Sequence, residues 1–229
     1  MNILGFESSE GKLSVAFLRD EVLGFSKKIS VSGMQAELLV PTINEVLQKN
    51  KVDYADIDYL TLTRGPGSFT GIRVGLAAAE AMCLLTKVKV ISFTNFDLYK
   101  YRLESRYQHN LKSFDFLYII LNAYGMQYYV QVFDVKNNSF SPHFLLDEGE
   151  ILKKIEIKKR ILCSGNGILN VSLAEKIINY DNVLATPMSI SAIHLVYLAC
   201  LKEKEKDFSS SLYPLYIKSP SVSVRPPLV

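Results

Sequence analysis

An α/β protein built from two similar lobes is what this sequence predicts, on two observations. The first hundred residues read as three strands, a helix, a strand, a second helix and a further strand. The same opening then recurs, because a shift of 114 positions sets Gly11 on Gly125 and Asp20 on Asp134. The composition permits such a fold: 229 residues, 48% hydrophobic and 21% charged, can bury a core without disulfide staples.

Each element follows from a local pattern. Residues 2–8 are largely apolar, 12–19 alternate about Leu13, Val15 and Phe17, and 21–29 continue with Val22, Leu23 and Phe25. These runs predict three antiparallel strands joined by tight turns at Ser9-Glu10-Gly11 and Asp20-Glu21. From about Met34 to Asn50 the positions Leu38, Leu39, Ile43, Val46 and Leu47 keep a helical period, with Ser32-Gly33 as its start. Pro41 lies inside that period and predicts a kink. A polar link, residues 53–58, leads to a strand at 59–63, a second helix and a strand at 89–93. That order matches the ribonuclease-H-like core of the actin-like ATPases, which fixes a fold and no activity.

In the second half, 115–122 and 126–135 read as strands about a turn at Tyr124-Gly125, 160–164 as a strand, 169–180 as a helix and 189–206 as a long helix. The predicted class is therefore two ribonuclease-H-like lobes with mixed β-sheets flanked by helices. The N-terminal lobe covers 1–100 and the C-terminal lobe 101–218, with the long helix a candidate to pack back on the first lobe. Three prolines and three serines in 219–229 predict an extended tail.

Twenty-six Lys and Arg against 23 Asp and Glu leave too little charge for a dedicated nucleic-acid binder. The densest basic run, Lys153-Lys154 with Lys158-Lys159-Arg160 about Ile155 and Ile157, reads as a solvated strand-like edge in preference to an RNA contact. Cys83, Cys163 and Cys200, widely spaced among apolar neighbours, read as buried thiols of a reducing compartment. The first residues meet Glu7 before a leader-like apolar run can form, and Glu80 interrupts the longest apolar stretch. These features predict a cytoplasmic protein with no membrane partner.

The sharpest local signal is Gly65-Pro66-Gly67-Ser68-Phe69-Thr70-Gly71-Ile72-Arg73-Val74-Gly75, between a strand and a helix. A loop of this kind can present backbone donors to a phosphate, yet it lacks the lysine and adjoining hydroxyl that complete such a site. Gly71, Gly75 and Ala79 recur every four residues, with Ala78 and Met82 beside them. Two helical glycines cost about 1 kcal/mol each, so a close neighbour must compensate: a helix of another chain, or this chain's own sheet or first helix.

Residues 63–75 resemble the signature of the TsaB (YeaZ) family. Ile3-Leu4-Gly5-Phe6-Glu7-Ser8-Ser9 resembles that family's first strand, with glutamate where aspartate is usual; Glu37-Leu38-Leu39-Val40-Pro41 its first helix; and Tyr213-Pro214-Leu215-Tyr216-Ile217-Lys218 its closing segment. The resemblance implies a non-catalytic scaffold that binds the catalytic homologue TsaD, with TsaE joining, for threonylcarbamoyl transfer to an adenosine of tRNA. It implies contact with tRNA only through that complex, a homodimer when alone, and neither a cofactor nor a metal. Leu39, Ile43, Gly71, Ile72, Arg73, Gly75, Ala78, Ala79 and Met82 are then the partner-binding candidates, Arg73 the preferred polar contact. Glu7, Ser8, Gly65, Gly67 and Ser68 are the candidates for proximity to a nucleotide. Gln35, Asn122 and Tyr124 depart from residues often found in the family.

Catalysis has little support in the residues. The second lobe offers Asn122-Ala123-Tyr124-Gly125 without an acid; Glu7 is a single strand-end carboxylate that could ligate a metal or position water but reads first as a solvated or capped acid, and Ser164-Gly165-Asn166-Gly167 could approach an adenine but reads first as a strand-to-helix turn. His109, His143 and His194 lie too far apart in sequence for a two-histidine helical metal site, and Ser68 has no base near it in sequence. The alternative that stays open is an actin-like-fold small-molecule kinase or ATPase using the cleft between lobes.

Overall fold

The computed structural model describes residues 1–30, 33–123, 125–156 and 158–217. Ser32, Tyr124, Ile157, Lys218 and the tail 219–229 lie outside the described residues, and with them the expectations that rest on those positions.

The N-terminal sheet begins with β1 (Asn2–Glu7) and β2 (Leu13–Arg19), antiparallel in a register that sets Gly5 opposite Ala16. Their partner is one strand broken into β3 (Val22–Leu23) and β4 (Lys27–Ile29), each pairing a different end of β2. The break has a visible cause. Asn50, just past α1 (Gln35–Lys49), accepts from Phe25 N at 2.8 Å and donates to Phe25 O at 3.1 Å, so the backbone between the two pieces pairs with a side chain instead of β2. Asp20 and Glu21 turn the β2–β3 corner with φ of 48° and 69°, values that non-glycine residues seldom adopt.

Helix α1 runs unbroken through Pro41; the ring sits on the exposed side, where the donor it lacks can be replaced by water. Parallel strands β5 (Tyr59–Thr63) and β6 (Lys89–Phe93) follow, joined by α2 (Phe69–Leu85). Next comes α3 (Asn95–Arg106), started by a capping box in which Thr94 Oγ1 accepts from Asp97 N and Asp97 accepts from Thr94 N.

The second lobe repeats the first. β7 (Phe116–Asn122) and β8 (Tyr128–Asp134) form the hairpin, and the third strand is again broken, here into β9 (Ser139–Phe140) and β10 (Phe144–Leu146). Then α4 (Glu148–Lys154), β11 (Ile161–Gly165), α5 (Val171–Ile178), β12 (Val183–Pro187) and α6 (Ala192–Glu205) complete it. Strand orders β3-β2-β1-β5-β6 and β10-β8-β7-β11-β12 are the same path. Gly11 and Gly125 turn the two hairpins at φ of 74° and 76°. The segment read as a strand-like edge about Ile155 is instead the end of α4 and the turn after it, and Asp147 and Glu150 supply that helix's capping box.

The chain stacks in five layers. α1 and α2 cover one face of the first sheet, over a core of Leu4, Phe6, Leu39, Ile43, Leu62 and Ile72. α4 and α5 cover the outer face of the second sheet. Between the sheets, α3 and α6 share one core that takes Ile3 and Ala16 from the first and Leu117, Ile119 and Leu162 from the second. A boundary at residue 100 therefore falls inside α3, and α6 packs back on β1, β2 and β5. Gly5 lets it do so: a Cβ there would meet Val196 Cγ1 at 2.7 Å. Ala192 N at the start of α6 donates to Ser14 Oγ on β2 at 2.8 Å.

Asn50→Ala should leave Phe25 N and O without the partner that holds the broken strand, costing about 1–2 kcal/mol. Chemical denaturation reads the loss directly, and hydrogen exchange should rise locally over residues 22–29.

Candidate functional site

The signature loop closes on the first strand of its own chain. After β5 the backbone turns through Gly65, at φ 109°, and Ser68 N donates to Ser9 O at 2.7 Å. Ser68 Oγ caps α2 by accepting from Gly71 N, and Ser8 Oγ donates to Gly71 O at 2.8 Å. A Cβ on Gly67 would sit 2.4 Å from Ser9 O, and one on Gly71 only 1.9 Å from Ser8 O. The glycines are thus required by the approach of the Ser8–Ser9 turn. At Ser68 and Gly71 the donors that a phosphate would use are already spent inside the chain.

The same contact settles where the small-residue stripe points, and corrects its reading as a surface for a foreign helix. Gly71, Gly75 and Ala79 are buried against the first strand, Gly75 with Ser8 Oγ 3.0 Å and the Phe6 ring 3.6 Å from its would-be Cβ. Leu39, Ile43, Ile72 and Met82 are likewise buried in the core beneath the two helices. They are small or apolar because their own sheet lies under them. Of the nine candidates only Arg73 is exposed and Ala78 partly so. Arg73 already has an internal role: its guanidinium lies 3.7 Å from the centre of the Phe69 ring, and Nε donates to Tyr216 Oη at 3.1 Å. Tyr216 in turn stacks on Phe69. It belongs to a C-terminal strap in which Leu215 N donates to Arg64 O at 2.7 Å and Ser209 bridges to Ser92 on β6.

Glu7, Ser8, Gly65, Gly67 and Ser68 do come together, around a buried polar knot. Glu7 Oε1 accepts from Ser9 N and from Ser9 Oγ, at 2.6 and 2.5 Å. Ser9 Oγ also accepts from Asn95 Nδ2 at 2.8 Å and Thr63 Oγ1 at 3.2 Å, and Asn95 reaches on to Pro66 O. Beside it Glu10 joins the lobes: its Oε1 accepts from Tyr99 Oη at 2.6 Å and from Asn166 Nδ2 of the second lobe at 3.0 Å. Burial first, then the charge of Glu10, pushes the Glu7 carboxyl up to about 8, and burial raises Glu10 as well. Sequence reading missed Glu10, Tyr99, Asn95 and Asn166 as members of this knot, since their convergence depends on α3 and on the second lobe.

Groups suited to hydrolysis or metal binding stay apart. His194 takes part in the cap of α6 by accepting from Ser191 N, and its burial lowers it to about 4. His143 stacks on Phe96, and His109 is exposed. Among the described residues no group of three His, Cys, Asp or Glu is placed to hold a metal. Cys163 and Cys200 are buried, whereas Cys83 is only half-buried.

The fold and the loop define a class first: two-lobed α/β proteins of the actin-like ATPase fold. The activator of 2-hydroxyisocaproyl-CoA dehydratase from Clostridium difficile, solved with bound ADPNP, superposes with a TM-score of 0.51 at 10% identity, over 92% of this chain and all of that one. A Pseudomonas aeruginosa protein described as similar to peptidase YeaZ superposes at 0.74 with 17% identity, covering 95% of this chain and 99% of that one. Residues 31–119 match the family described as TsaD, tRNA N6-adenosine threonylcarbamoyltransferase. The tRNA threonylcarbamoyladenosine biosynthesis protein TsaB of Buchnera aphidicola from Acyrthosiphon pisum is 26% identical over 90% of this chain and 93% of its own length. Other TsaB relatives align over half of their length or less. Over nearly its whole length the chain is similar to TsaB (YeaZ) proteins.

Two outcomes test the knot. Gly71→Ala forces a methyl against a backbone oxygen, so it should destabilise by at least ~2 kcal/mol in denaturant melts. Glu7 binds its proton more tightly when folded than at its ordinary 4.5, so its contribution to stability is greatest below that value and declines as pH rises towards about 8. Glu7→Gln keeps the oxygen that accepts from Ser9 and should remove that decline, raising the melting temperature at alkaline pH and changing it little near the ordinary carboxylate range.

Proposed function

We propose that this chain is a non-catalytic subunit of threonylcarbamoyladenosine synthesis that binds a TsaD-type homologue through the outer face of α1 and α2. The supporting observation is how those helices divide their residues. Their inner faces are consumed by the sheet, and their outer faces leave Val40 52% exposed and Leu84 and Leu85 each 86% exposed. Ala77 and Ala81 lie on the same exposed side of α2, where two small side chains permit a close helix neighbour. Isolated leucines on a surface are ordinary, but apolar residues on two adjacent packed helices suit an interface. The stretch matching the TsaD family, residues 31–119, is the stretch that carries both helices, so the homologue brings a related pair to the contact.

The non-catalytic part of the reading draws on the spent donors at Ser68 and Gly71 and on the Glu10–Asn166 bond across the lobes. TsaE as a third component, and a homodimer on the same face in the partner's absence, extend the reading by family resemblance. Leu84→Asp touches no core residue, so it should leave the melting temperature within about 2 °C yet abolish co-purification with the TsaD-type partner. Undiminished co-purification would remove the face from consideration. Gly75→Leu is unsuited to this test, because Ser8 and Phe6 fill the space it needs.

A further inference from the structure

Charge in this chain is concentrated at one end of the second lobe. Residues 153–160 carry Lys153, Lys154, Lys158, Lys159 and Arg160 against the single acid Glu156, in a chain of net charge only +3. Asp115 N and Phe116 N both donate to Arg160 O, and Val135 N donates to Asp115 O at 3.0 Å. The entry to β7, the exit of β8 and the approach to β11 therefore meet here, which brings the exposed Lys136 alongside. Among the described residues, no ion pair includes any of these six cations.

Aromatic rings organise the cluster. Lys154 Nζ lies 4.4 Å from the centre of Phe144, Lys159 Nζ 5.8 Å from Phe116, and the Arg160 guanidinium 5.6 Å from Phe114. Phe116 and Phe144 are half-buried, so part of each ring stays accessible beside its cation. Two acids lie beside the cations without an ion pair to any of them among the described residues. Asp134 accepts from Asn137 N and Nδ2, which with the Lys159 charge keep it below its ordinary value, and Asp115 accepts from Arg160 N.

We infer that this end of the C-terminal lobe is a docking platform for the phosphodiester backbone of tRNA, with Lys153, Lys154, Lys158 and Arg160 as the phosphate contacts. The inference rests on the tRNA-modification role proposed above. Its physical basis is the pairing of cations that outnumber the nearby acids with ring surface, the combination that retains nucleic-acid backbones with little regard to sequence. Because the remainder of the chain is close to neutral, the platform contributes one oriented contact to an assembly and leaves the isolated chain a weak binder.

The test is tRNA binding, followed by fluorescence anisotropy, for the wild type and for K153E/K154E/K158E, alone and mixed with the TsaD-type partner. The triple variant should bind at least about tenfold more weakly, and its dependence of log affinity on log salt should be shallower by about 2–3 between roughly 50 and 200 mM salt. An unchanged affinity or salt slope overturns the inference, as does a wild type that binds no tRNA in either setting. Equal competition by polyglutamate assigns the platform to an acidic protein surface and overturns it as well. Should the triple variant melt early, Lys158→Gln replaces it, and there a slope shallower by less than about half a unit overturns the inference. Co-purification with the partner should survive these changes; its loss in Leu84→Asp, with tRNA binding by the isolated chain retained, separates the two readings.

Discussion

The approach of the Ser8–Ser9 turn to the glycines of α2 is the constraint on which the first lobe depends. Ser9 O takes the donor of Ser68, Ser8 O lies where a side chain of residue 71 would be, and Ser8 Oγ holds the Gly71 carbonyl. Any larger residue would push α2 off the sheet, and with it the contact between α2 and α1. The arrangement also removes the Glu7 carboxyl from water, where hydroxyl and amide donors reach it. A buried acid without a cation costs stability once ionised, which is why the proton stays to about 8.

A second constraint joins the duplicated halves. Each lobe alone would leave one face of its sheet bare, and α3 and α6 cover both inner faces at once. Exchange of this kind makes the two lobes one folding problem: α6, from the end of the chain, sits on the first strands, and Glu10 reaches across to Asn166. Tyr99 on α3 ties the same carboxylate from the middle layer. These polar contacts between lobes are part-buried, where a lowered dielectric strengthens each of them.

Much of this was legible where one residue pattern decides one element. Strands at Tyr59–Thr63 and Lys89–Phe93 fall on the predicted residues, because short runs rich in apolar and β-branched residues, set between polar links, leave little choice. The duplication shows through Gly11 and Gly125 because both hairpins need a positive φ. By contrast α3 is rich in tyrosine and charge, and its helical character rests on a cap at Thr94 and burial between two sheets. α4 carried its signal in Asp147 and Glu150, which the alternation about Ile155 obscured. At the site, the loop residues converge on one buried knot, but the stripe faces this chain's own sheet. Helical spacing reports that small residues share a face, and says nothing of which neighbour fills it.

That distinction shapes how the two faces of α2 should be understood. Glycine at 71 and 75 answers an internal demand, so it carries no information about a partner, and a helix that must seat on its own sheet would keep these residues even in a monomer. Information about association lies in residues the fold does not need. Leu84 and Leu85 bury almost nothing within the chain, and Ala77 and Ala81 occupy exposed positions where a charged residue would serve solubility better. Arg73, Phe69 and Tyr216 brace the helix from its N-terminal end, so the strap fixes the angle at which that outer face meets solvent. A surface held rigid from below by glycine contacts and from one end by an aromatic clamp loses little entropy on docking, the condition under which a modest apolar area suffices for specific association.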